Sequence, residues 1–126
     1  MDAYKTHGAF SWNELMTTDP AAAAAFYGKL FGWGVQTMDM GTGPYIVVKA
    51  GETSVGGIMA MPPDAAAMPP AWGCYVTVDN VDQTLARCSE LGGKTLVPPM
   101  DIPGVGRMAV LQDPQGAVVS VMTYLM

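Results

Sequence analysis

The 126-residue chain is short of charge: only 13% of its residues are Asp, Glu, Lys or Arg, and His7 is its single histidine. Basic residues are the scarcer kind, 6 against 11 acidic ones, giving a formal charge of -5 and a pI near 4.4. A phosphate backbone needs a basic face, so no nucleic-acid partner is expected. With one histidine, a Ser/His/Asp triad would need His7 to reach a serine such as Ser54 or Ser120, and no GxSxG turn is present. Cys74 and Cys88 form no closely spaced metal or redox motif and read as buried, reduced thiols. No run of about eighteen apolar residues offers a membrane span, and residues 1–6 lack the basic and apolar regions of a signal peptide. No membrane partner and a cytoplasmic location are therefore expected. Gly41-Thr42-Gly43 and Gly104-Val105-Gly106 lack the strand-glycine-helix setting of a nucleotide loop and read as turns.

What is present is apolar. Half the residues are hydrophobic, which is incompatible with disorder and sufficient for one core. The most legible stretch is Asp19-Pro20 followed by five alanines, Ala21 to Ala25, and then Phe26-Tyr27-Gly28-Lys29-Leu30-Phe31-Gly32-Trp33. Asp19 is a natural N-cap, Pro20 suits the first turn, the alanines favour helix, and Gly32 stops it. The same grammar returns after Asp79-Asn80, where Val81, Leu85, Cys88 and Leu91 share a helical face closed by Gly92-Gly93. Asp19 to Gly32 and Asp79 to Gly92 have equal spacing, and each unit follows a strand-like run carrying a tryptophan.

Around these helices the alternation predicts a first strand from His7 to Met16, then strands at 34–40, 44–49 and 54–61. The second half repeats the order, with strands at 72–78, 94–100, 107–112 and 117–124 and a helix at 81–91. The fold class is α+β, two βαβββ modules spanning 7–61 and 72–124, joined by a proline-rich linker at 62–71.

This doubled unit, with Phe26-Tyr27 and Phe31-Gly32-Trp33 closing the first helix and Asp113-Pro114-Gln115-Gly116 before the last strand, resembles the vicinal oxygen chelate superfamily. That group holds glyoxalase I, bleomycin-resistance proteins and extradiol dioxygenases. The resemblance covers nearly the whole chain. It implies a curved mixed sheet around a cup that holds a ligand, often at a homodimer interface. In metal-dependent members, His, Glu or Gln ligands stand on the first and last strands of each module. Counted from the helix caps and from Asp113-Pro114, those positions fall at about Trp12, Gly57 to Met59, Gly73 and Ser120, none of which is a metal ligand. No metal or other cofactor is therefore expected.

Glu14 shares a strand face with Trp12, the concave face in the family fold. A carboxylate there needs a partner, and if water is excluded its pKa should rise. Either it pairs with Arg107 or a tyrosine, or it serves as a polar anchor or general base, the best catalytic candidate in the chain. Trp12, Trp72 and Tyr75 read either as core between sheet and helices or as aromatic walls of the cup, with Met108 and Met122 as flexible lining. The expected ligand-binding set is Trp12, Glu14, Trp72, Tyr75, Arg107, Met108, Ser120 and Met122. The function it suggests is metal-independent binding of a small apolar or aromatic molecule. The alternative is a divalent-metal lyase, isomerase or ring-cleaving dioxygenase, for which Glu14, Glu52 and His7 would have to converge. A third reading is a partner-binding domain with an occluded cup.

Overall fold

Asp19 opens the first helix in the manner its sequence predicts. In the computed structural model, which describes residues 1–39, 43–61 and 69–125, its Oδ1 accepts the Ala22 N–H at 3.1 Å and satisfies one of the unpaired first-turn donors. Helix α1 (Pro20–Phe31) ends at Gly32, whose N–H closes the last helical bond, to the Gly28 carbonyl, and whose φ of 74° then turns the chain out of the helix. Helix α2 (Val81–Glu90) is capped by Asn80 rather than Asp79, with Asn80 Oδ1 accepting the Gln83 N–H at 3.0 Å. The expected βαβββ order is present twice: β1 (Phe10–Thr17), α1, β2 (Gly34–Asp39), β3 (Pro44–Ala50), β4 (Thr53–Ala60), then β5 (Ala71–Thr77), α2, β6 (Lys94–Ile102), β7 (Gly106–Gln112) and β8 (Val118–Tyr124). The fold class is α+β.

The first strand begins at Phe10, not His7, because Gly8 takes a φ of 89° and breaks the extended run. Strand β6 continues beyond Met100 to Ile102, but its register against β7 shifts between Thr95 and Val97 and again between Val97 and Met100. Pro98 and Pro99 have no N–H to give the ladder, and β6 sits at a sheet edge, where that loss is tolerated. Most of the expected linker, 62–68, lies outside the described residues, as do Met40, Gly41 and Thr42 of the first hairpin turn.

The chain forms two compact units, Trp12–Trp72 and a second made of Met1–Ser11 with Gly73–Met126. In the first, the strand order is β2-β3-β4-β1, with β1 parallel to β4 and the other pairs antiparallel. Leu15, Ile46, Val48 and Ile58 face Ala24 of α1 and make the core, joined at its margin by Ala23, Tyr27 and Trp33. In the second, the order is β5-β8-β7-β6, with β5 parallel to β8. Its core is Val78, Ala109 and Val121 against Val81 and Leu85 of α2. The N-terminal residues belong to this unit because they are bonded into it. Gly8 N–H donates to the Thr77 carbonyl and Thr77 N–H to the Ala9 carbonyl, both at 2.8 Å, and the Thr77 hydroxyl donates to the Ala3 carbonyl at 2.6 Å. Among the described residues no helix is long and apolar enough to cross a membrane.

Candidate functional site

Strand alternation assigns the faces. In the first unit Leu15, Ile46 and Ile58 point toward α1, so their neighbours Glu14, Tyr45 and Gly57 take the opposite face. The register brings them together: Glu14 is the cross-strand partner of Gly57, and Gly57 of Val47, one pleat from Tyr45. Glu14 is 6% exposed. Such a carboxylate must be hydrogen-bonded, and Tyr45 Oη donates to its Oε2 at 2.6 Å, while Trp12 Nε1 donates to Tyr45 Oη at 2.9 Å. The two bonds run in one direction: Tyr45 accepts from Trp12, whose indole nitrogen can only donate, and sends its own proton to Glu14.

Gly57 completes the arrangement. A Cβ built there would overlap the hydroxyl and ring edge of Tyr45, so the phenol fills the place of a side chain on β4. Neither Tyr45 nor Gly57 belongs to the expected ligand-binding set. The available signal was the Gly56-Gly57 pair inside a strand, since a strand glycine marks the close approach of another group.

The second unit places its residues in two groups. Val76, Val78, Ala109, Leu111 and Val121 pack toward α2. Tyr75, Met108, Ser120 and Met122 therefore share the other face, where Tyr75 pairs with Ser120 and Met108 with Met122. All four are buried, between 2% and 6% exposed. Arg107 is not among them. It follows the parity of Ala109, stands on the α2 side, and bonds both carboxylate oxygens of Asp82 at 2.8 and 3.0 Å and Asp101 Oδ1 at 3.0 Å. Those contacts hold the guanidinium pKa above its ordinary value and the Asp82 carboxyl below its own, the hydrogen bond being the main cause in each case. Trp72 belongs to the first unit. It donates to Tyr27 Oη at 3.1 Å and packs edge-on against the rings of Tyr27 and Trp33 beside α1. His7 accepts the Asp79 N–H on Nδ1 at 2.9 Å, and Glu52 lies exposed in the turn between β3 and β4.

The donor set does not fit a divalent metal, which needs three or four converging nitrogen or oxygen ligands. The mapped positions, Trp12, Gly57 to Met59, Gly73 and Ser120, offer no carboxylate, imidazole or amide donor. Among the described residues no group of three or more His, Cys, Asp or Glu side chains could hold an ion.

Residues 9–121 match the family described as Glyoxalase/Bleomycin resistance protein/Dioxygenase superfamily. A Mycobacterium bovis protein that carries the name of a glyoxylase, CFP32, is 44% identical over 116 residues, which cover 91% of this chain and 44% of that protein. The anthracycline biosynthesis protein DnrV of Streptomyces peucetius is 34% identical over 127 residues, covering 90% of this chain and 46% of DnrV. The chain thus spans less than half the length of either relative. Among solved structures, methylmalonyl-CoA epimerase from Mycobacterium tuberculosis superposes with a TM-score of 0.62 at 13% identity, over 91% of this chain and 86% of the epimerase. That likeness is one of fold.

Proposed function

The chain belongs to the glyoxalase/bleomycin resistance protein/dioxygenase superfamily, and from that membership we propose that it binds a small apolar or aromatic molecule, without a metal ion, at the Trp12 face of its first module. The observation that carries the reading is the Trp12-Tyr45-Glu14 chain closed over Gly57. Two half-buried rings offer stacking surface, and the carboxylate beneath them offers one fixed polar contact. The acidic balance of the chain favours a ligand that brings a hydrogen-bond donor or a cation to Glu14. The name of DnrV, with its reference to anthracycline biosynthesis, supports aromatic chemistry of this kind.

Calorimetric titration of chelator-treated protein with a flat aromatic cation such as 9-aminoacridine tests the proposal. One saturable site, weakened at least fivefold by Glu14→Gln, is expected. Stoichiometric metal retained by protein purified without chelator would overturn it.

A homodimer and a cytoplasmic setting belong to the same proposal. The dimer is supported by Phe26, Leu30 and Phe31 of α1, which remain 58%, 57% and 59% exposed. Sedimentation of wild type beside Leu30→Glu checks it, with a dimer expected for the first and a monomer for the second.

A further inference from the structure

We infer that Tyr45 and Gly57 together are the specificity-determining pair of this site: position 57 carries no ligating side chain, and the Tyr45 ring holds the space that one would need. The inference rests on the metal-independent reading and says how the fold enforces it. Glu14 and position 57 are cross-strand partners, so any side chain at 57 would leave the sheet beside the Glu14 carboxylate. Two oxygen donors so placed are the start of a chelate for a divalent ion. Position 57 is glycine, however, and the volume just outside its backbone is occupied by the Tyr45 hydroxyl.

The phenol is fixed there from both sides. Trp12 Nε1 donates to its oxygen at 2.9 Å, and its own proton goes to Glu14 Oε2 at 2.6 Å. One carboxylate oxygen of Glu14 is thus committed to a neutral O–H, and the neighbouring ligand position is closed. The exclusion needs Tyr45 and Gly57 together. A side chain at 57 alone collides with the ring, and loss of the ring alone supplies no second donor.

Interdependence of this kind is measured by a double-mutant cycle. Manganese and nickel are titrated calorimetrically into wild type, Tyr45→Ala, Gly57→Glu and the double variant. Only the double variant should bind one ion, at least tenfold more tightly than any of the other three proteins, and a further Glu14→Gln change should abolish the gain. A double variant that binds no more tightly than wild type, or a Gly57→Glu protein that binds equally well, overturns the inference. A second cycle with Gly57→Ala adds no charge and so guards against misfolding. With Tyr45 present the alanine should lower Tm by about 5 °C, and with Tyr45→Ala by less than half of that. Equal losses in the two backgrounds also overturn the inference. Failure in either cycle leaves 9-aminoacridine binding by wild type intact, whereas failure of the parent reading shows as metal retained by wild type.

Discussion

In the first module the sheet face turned away from α1 carries a buried carboxylate under two rings, Glu14 bonded to Tyr45 and Tyr45 to Trp12. In the second module the face turned away from α2 is filled by Tyr75, Met108, Ser120 and Met122. Glu14 and Tyr75 stand equally far before their helix caps, Asp19 and Asn80, and each is paired with the last strand of its module, Glu14 with Gly57 and Tyr75 with Ser120. The two modules therefore share backbone register and differ in the side chains it carries. One module is organised around a buried carboxyl group that must be hydrogen-bonded, the other mainly around apolar volume.

The largest expected effect breaks the cores rather than the faces. Ile58→Ala, at a site with 0% exposure, should cost about 3–5 kcal/mol in urea denaturation, and Leu85→Ala in the other core, at 7% exposure, about 2–3 kcal/mol. Next comes the polar chain itself. Tyr45→Phe takes the donor from Glu14 and the acceptor from Trp12, and thermal unfolding should show a loss of about 1–3 kcal/mol. Loss below about 0.5 kcal/mol would mean that water replaces the phenol and that the contrast between the faces is weaker than drawn. The caps give a smaller, matched pair: Asp19→Ala and Asn80→Ala should each cost about 1 kcal/mol, one in each module.

The smallest effect concerns the surface of the second module. Arg107 holds the Asp82 carboxyl below its ordinary pKa, so the ion pair stabilises the fold above the unfolded carboxylate range and is lost as pH falls through the depressed folded value. The stability difference between wild type and Asp82→Asn should be present at neutral pH and shrink below about pH 4. Both groups are solvent-screened, so the difference is small. Denaturant midpoints measured at pH 7, 4 and 2.5 follow it.

The module order and both helices were legible because capping, glycine stops and hydrophobic period are local signals. The need of Glu14 for a polar partner was legible too, from its shared parity with Trp12 on a strand face. Its tyrosine partner was expected in kind but not by number, because Tyr45 reaches Glu14 only through the register of β3 on β4 and of β4 on β1, which sequence does not state. Arg107 and Trp72 carry a different lesson. Each is adjacent in sequence, or odd-numbered in spacing, to a residue with which it was grouped: Arg107 to Met108, and Trp72 to Tyr75. Strand parity alone would have sent them to opposite faces. The early start assumed for β1 failed at Gly8, where a positive φ ended the extended run.

The most direct measurement is calorimetric titration of chelator-treated wild type and Glu14→Gln with 9-aminoacridine. A single saturable site in wild type, weakened at least fivefold in the variant and unchanged by added manganese, is the predicted result. Binding that appears only when manganese is supplied would contradict the account.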